Sequence, residues 1–272
     1  MGTLRVDGAA LDYEEHGSGP PVLLIHGTAA RLWGATLDKL AACGRVVAYD
    51  RRSFGASAHP PLSDLAPHRA DAAALLRGLD LAPAVVVGWS IGGVVALDLA
   101  LEHPDLVRAL VLIEPPLHAK RRPSARMARA VVGAQVLGRL GRPEAGATAF
   151  LRWALRRRDG GTDLDRVPPD WRAAMLVNAR AIVAELGAGT GEHIDRDRLA
   201  GLRTPTTLLV GSESDPVFAA AGRRLAATAA QVELREVDRA GHMLQRDRPD
   251  AVVDAVRATL RSEERLSPGA RP

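Results

Sequence analysis

The sequence predicts an α/β protein: a mostly parallel, doubly wound sheet of eight strands, with a helical cap inserted before the last two strands. Three observations lead there. Most strand-like runs are apolar throughout, as strands covered on both faces of a parallel sheet must be. Segments with helical spacing separate them, so each strand is followed by a stretch able to cross back over the sheet. The pattern then fails between residues 114 and 202, where helix-like segments occur without a convincing strand.

Taken in order, residues 4–6 and 11–15 read as a hairpin pair, and HGSGPP at 16–21 is a turn. VLLI at 22–25 is an apolar strand ending at His26-Gly27. Residues 32–42 have helical spacing, and RVVAY at 45–49 is a further strand ending at Asp50. PHRADAAALLRGL at 67–79 spaces its apolar residues three and four apart, the pattern of a helix lying on a core. Strands follow at 84–87 and 108–113, with a helix at 91–102 that closes on His103-Pro104. After the insertion come strands at 206–210 and 232–237 and helices at 216–228 and 248–261. The expected organisation is a core of 1–114 and 203–261, a cap of 115–202 and a frayed tail of 262–272.

The 272 residues, 47% apolar and 25% charged, suffice for a substantial core. No apolar stretch reaches the ~20 residues of a membrane span, so no membrane insertion is expected. The first residues lack a basic run followed by an apolar one, so no secretion signal is expected. The single cysteine, Cys43, excludes an internal disulfide framework, and a cytoplasmic location is the expectation. The net charge of +4 conceals an asymmetry: residues 116–158 hold Lys120 and ten arginines against one acid, Glu144. This block reads as a solvated helix face. It also offers a docking surface for an acidic carrier protein or a phosphate-bearing thioester. No nucleic-acid motif accompanies it, so no nucleic acid is expected as partner.

The chemistry centres on AVVVGWSIGGVVALDLA at 84–100, where Ser90 stands between a strand and a helix with Gly88, Gly92 and Gly93 around it. A tight strand-to-helix turn needs small residues two before and two after the serine. It leaves the hydroxyl at the carboxyl end of the strand and at a helix N-terminus, which favours negative charge. A serine needs a base to become a nucleophile. Of eight histidines, His242 in DRAGHM at 238–243 is best placed, after the last strand and before the last helix. The base needs an acid to hold its tautomer, and two candidates follow strands: Glu114 in LVLIEPP and Asp215 in GSESDP. The N–H groups of Ile91 and Thr28 are the candidate oxyanion donors. Trp33, Trp89, Trp153, Trp171, Met175 and Leu176 are candidates for lining an apolar substrate pocket. No His, Cys and carboxylate cluster has metal-ligand spacing, and neither metal nor cofactor is expected.

On these residues the chain resembles the α/β-hydrolase fold family over nearly its whole length. HGT at 26–28 is similar to the family's oxyanion loop. DRRSFGAS at 50–57 is similar to its D-x-R-G-x-G-x-S loop, with Ser53 in place of the usual glycine. GWSIGG looks like the nucleophile elbow and AGHM like the histidine loop. In most members the acid is an aspartate three residues after the glycine of the next-to-last strand; here that position is Ser214, and Asp215 comes one residue late. VLIEPP is similar to members, haloalkane dehalogenases among them, that carry the acid after the strand preceding the cap. The resemblance therefore favours Glu114 over Asp215, with Glu213 third. Ser90 stands where dehalogenases and epoxide hydrolases of this fold have an aspartate, which argues against both activities. What the resemblance implies is hydrolysis of a small hydrophobic carboxylic ester, lactone or thioester through an acyl-serine. Two alternatives stand beside it: a cofactor-free enzyme of this fold doing carbon–carbon cleavage, cyclisation or elimination, and a binding protein without turnover.

Overall fold

The computed structural model describes residues 1–121 and 123–264. The chain opens with β1 (Gly2–Val6) and β2 (Ala9–His16), an antiparallel hairpin turned by Asp7-Gly8, with Gly8 at φ 69°. Then follow β3 (Pro21–Ile25), α1 (Ala35–Ala41), β4 (Arg45–Tyr49), α2 (Ala66–Gly78), β5 (Ala84–Trp89), α3 (Ile91–Glu102) and β6 (Val107–Ile113). The insertion supplies α4 (Ala125–Arg139), α5 (Pro143–Ala154), α6 (Pro169–Leu176), α7 (Ala179–Glu185) and α8 (Arg196–Ala200). The alternation resumes with β7 (Thr206–Gly211), α9 (Pro216–Thr228), β8 (Val232–Val237), α10 (Leu244–Asp247) and α11 (Pro249–Glu264).

The eight strands form one sheet in the order β1-β2-β4-β3-β5-β6-β7-β8, antiparallel only at β1/β2 and β2/β4. Because successive side chains in a strand point to opposite faces, the apolar runs feed two cores at once. Leu23, Ile25, Val86, Leu110, Leu112 and Leu208 face one core with residues of α2, α3 and α9. Val22, Leu24, Val85, Val87, Val111 and Leu209 face the other, with residues of α5, α7 and α11. The parallel strands all present their carboxyl ends to one edge, where crevices form in such folds.

Two boundaries differ from expectation for physical reasons. The helix expected over 32–42 starts only at Ala35, because Gly34 takes a left-handed backbone, φ 49°, just before it. The insertion also returns to the core before residue 202. Ala188, Ile194, Leu199 and Leu202 pack with α2, α3 and α9, so the stretch 188–202 belongs to the core by packing. Among the described residues no helix is long and apolar enough to cross a membrane.

Candidate active site

Ser90 lies between the end of β5 and the start of α3 with φ 55° and ψ −124°, a left-handed backbone that L-residues rarely adopt. Hydrogen bonds fix the bend: Ser90 N–H donates to the Ile113 carbonyl at 2.8 Å, and Gly93 N–H to the Ser90 carbonyl at 2.8 Å. The flanking glycines are sterically required. A Cβ on Gly88 would lie 2.6 Å from the Gly92 carbonyl oxygen, and one on Gly92 would lie 2.3 Å from that of Ile25. Ile91 is the first residue of α3, so its N–H has no acceptor within the helix.

Glu114 sits immediately beyond β6 at φ 47° and is fully buried. Its Oε2 is 2.6 Å from His242 Nδ1, and its Oε1 accepts the Gly211 N–H at 2.8 Å. A buried carboxylate is costly unless paired, and both oxygens are paired here. His242 itself is 2% exposed. Phe218 of α9 stacks on its ring at 3.9 Å and 16°, and Trp89 Nε1 donates to its backbone carbonyl at 2.8 Å. With Nδ1 directed at a carboxylate, the neutral ring carries its proton there and leaves Nε2 as the acceptor.

The other two acids are engaged elsewhere. Asp215 caps α9, accepting the Val217 N–H at 3.1 Å, and Glu213 accepts from Arg157 Nε at 3.0 Å. Arg157 also reaches Asp163 at 2.9 Å and Asp247 at 2.7 Å, tying the end of α5 to α10 below the histidine loop. Burial and the nearby Asp247 push the Asp163 carboxyl up from its usual range.

Two adjacent cavities open at Ser90. The larger, ≈ 50 Å³, is bordered by Thr28, Ser90 and Ile91 on the core side and by Met127, Phe150 and Trp153 from the insertion. The smaller joins Ser90 and His242 with Thr28, Trp89 and Met175. Trp33 and Trp171, expected in the pocket, border neither. Trp33 is 1% exposed in the core beside α1, and Trp171 covers Gly34, whose Cβ would meet its ring at 3.0 Å. Leu176 is likewise part of helix packing and borders neither cavity.

Sequence reading missed Phe218, Phe150 and Glu185. Phe218 follows the start of α9 by less than a turn, which offered a faint cue because α9 begins beside Asp215, one of the candidate acids. Glu185 is a buried carboxylate in an otherwise apolar helix stretch, AIVAELG, and that pattern was the available cue. Its Oε1 lies 2.6 Å from Arg51 Nη1, and its Oε2 accepts from the Thr28 hydroxyl at 2.5 Å. His26, beside it, donates from Nδ1 to the Gly27 carbonyl at 2.7 Å and accepts the Arg51 N–H at 2.9 Å. Burial, then the Arg51 charge, holds the His26 imidazole well below its ordinary pKa.

A profile of the alpha/beta hydrolase family matches residues 22–255. The chain belongs to that family. A relative within it, the uncharacterized hydrolase YraK of Bacillus subtilis, is 38% identical over 43% of this chain and 45% of its own length. A protein of Azorhizobium caulinodans named for carbamate hydrolysis, RutD, is 28% identical over 89% of this chain and 91% of its own. A thermophilic esterase from Thermogutta terrifontis has a solved structure that superposes with a TM-score of 0.76 at 27% identity, covering 96% of each chain. The match thus spans less than half of the first relative and nearly all of the other two.

Proposed function

We propose that the protein is a serine hydrolase acting on an uncharged, apolar carboxylic ester, lactone or thioester. The observation that carries this reading is the buried 2.6 Å contact of Glu114 with His242 Nδ1, beside a serine held in a left-handed elbow on the same cavity. Ser90 Oγ attacks the acyl carbon while its proton passes to His242 Nε2, and Glu114 steadies the resulting imidazolium. The oxyanion is met by the Thr28 and Ile91 N–H groups. Collapse expels the alcohol or thiol, which takes the proton from His242. Water then attacks the acyl-serine with His242 as base, and the acid leaves.

Substrate class follows from the walls. Met127, Val131, Phe150 and Trp153 offer apolar surface to an acyl chain, and the one carboxylate there, Glu185, is neutralised by Arg51. Carbamate and ester hydrolysis, for which two of the relatives are named, are both attacks on an acyl carbon and support the reading. A fluorophosphonate probe is expected to label Ser90, and the protein to turn over p-nitrophenyl butyrate. Ser90→Ala is expected to lose both, with kcat falling by at least ~10³-fold. An unlabelled wild type, or full turnover by Ser90→Ala, would refute it.

A further inference from the structure

We propose that Glu185, the last residue of α7, is a positioning residue that ties the inserted helices to the oxyanion loop and aims the Thr28 N–H at the reacting carbonyl. This rests on the reading of Thr28 as an oxyanion donor.

The peptide between Gly27 and Thr28 links the loop's carbonyl to the Thr28 N–H. In a trans peptide the carbonyl and the following N–H point in opposite directions, so whatever grips the Gly27 oxygen also aims the Thr28 N–H. Three donors grip it: the Ala29 N–H at 2.8 Å, His26 Nδ1 at 2.7 Å and Arg51 Nη2 at 3.1 Å. Arg51 Nε holds the preceding carbonyl, of His26, at 3.0 Å. Arg51 is fully buried, and a buried guanidinium needs a carboxylate close by. That carboxylate comes from the insertion: Glu185, with Oε1 2.6 Å from Nη1 and Oε2 3.2 Å from Nη2. The same Oε2 takes the Thr28 hydroxyl proton at 2.5 Å.

One carboxylate thus holds the loop at two points, directly through the Thr28 side chain and indirectly through Arg51 and the two carbonyls. Phe54 backs the guanidinium at 4.6 Å from its ring, and His68 Nε2 stands 3.7 Å from Glu185 Oε1. Glu185 also borders the cavity that holds Ser90. Both its oxygens are already occupied, so it acts on the reaction through the loop. The loop is ordered for chemistry only while α7 is seated, which couples closure of the insertion to assembly of the oxyanion site.

The test uses the full chain with Glu185→Ala, Glu185→Gln, Thr28→Val and the Glu185→Ala/Thr28→Val double variant. Glu185→Ala is expected to lower kcat for p-nitrophenyl butyrate by ~10- to 100-fold with KM within about threefold, the split expected when a transition-state contact is lost. Glu185→Gln, which can still accept from the Thr28 hydroxyl, is expected to fall between it and wild type. Thr28→Val keeps the backbone N–H and is expected to repeat part of the loss. The double variant is expected to be no worse than Glu185→Ala, since the two groups act as one unit. Hydrogen exchange is expected to speed up at residues 27–30 and 180–186 together in Glu185→Ala, or in Glu185→Gln if the alanine variant does not fold. Wild-type kcat in Glu185→Gln and Thr28→Val with only a lowered Tm would overturn the proposal. So would multiplicative losses in the double variant, or exchange altered in α7 alone. If the wild type neither hydrolyses esters nor takes the fluorophosphonate, the proposed function fails, while the exchange measurement still decides the coupling.

Discussion

At Glu114 the chain leaves a buried strand through a left-handed residue and turns straight into Pro115-Pro116, which fix its exit, while the Gly211 N–H and His242 hold the carboxylate at the strand tip. Asp215, by contrast, stands before Pro216 at the first position of α9, where an aspartate side chain serves the exposed helical N–H groups. Replacing each acid separates the two jobs. Glu114→Gln is expected to cut kcat by ~10³- to 10⁴-fold, because an amide can turn its N–H₂ toward Nδ1 and favour the wrong tautomer. Asp215→Ala is expected to keep turnover within about threefold while losing ~1 kcal/mol of stability, the usual loss of a helix cap. Steady-state kinetics and urea titrations on the two variants check this, and a reversed outcome would move the acid to Asp215. Ser90 and His242 were legible because each sits in a short motif whose neighbours dictate its geometry. Glu114 was legible as a stranded carboxylate in an apolar run, but its choice over Asp215 as the partner of His242, 128 residues away, rested on the resemblance and not on local pattern. Phe218 left no local trace at all beyond its place in α9, because stacking on an imidazole needs knowledge of how α9 packs.

Among the elements, the end of β7 is as tight a joint as the serine elbow itself. The Gly211 N–H holds Glu114, and its missing side chain lets the loop carrying His242 pass overhead. A Cβ there would meet the Ala240 carbonyl oxygen at 2.3 Å and that of Gly241 at 2.9 Å, backbone atoms that can only yield if the loop moves. Gly211→Ala is therefore expected to lower both kcat and stability, the latter by ~1–3 kcal/mol as for other overpacked sites. A thermal melt with parallel kinetics reads it; an unaltered kcat would show that the loop has slack. The strands themselves were legible in order and in bounds to within a few residues, since continuous apolar runs between helical spacings leave few alternatives. The return of the insertion to the core at 188–202 was not. Its run AGTGEHID is rich in turn residues, and α8 has five residues, too few for a periodic pattern. Trp33 and Trp171 were misplaced for a related reason: an aromatic on a short segment gives no hint of which way the segment faces.

For the whole molecule, the same buried cluster that holds the segment 26–28 also sets a pH limit. Burial, and then the charge of Arg51, holds both His26 and His68 well below 6.5. In the folded chain they stay neutral, whereas unfolding lets each take a proton as the pH falls below 6.5. The unfolded state then binds more protons, so stability falls on acidification, by up to ~1.4 kcal/mol per pH unit for each histidine until its folded pKa is reached. Asp50 and Asp163, raised from 3.8 chiefly by burial, act in the opposite sense from that pH upward. Urea unfolding is expected to give a lower midpoint at pH 5.5 than at 7.5, and His68→Asn is expected to shrink the difference. Equal midpoints in the parent protein would refute the account. Within the arginine-rich stretch, Arg126, Arg129, Arg139 and Arg142, in or beside α4 and α5, are exposed, whereas Arg157 is buried among Asp163, Glu213 and Asp247.

The root of the insertion and the seat of the proposed acid are the same few residues, Glu114-Pro115-Pro116. The later loop, Ser212 to Asp215, then serves as a fastening: Asp215 begins α9, Glu213 takes Arg157, and the Glu213 N–H donates to the Ala240 carbonyl beside His242 at 2.9 Å. A change in the stem at 114–116 would be felt at the imidazole, whereas substitutions at Met127, Phe150 or Trp153 reshape the cavity wall and leave the Glu114–His242 contact in place.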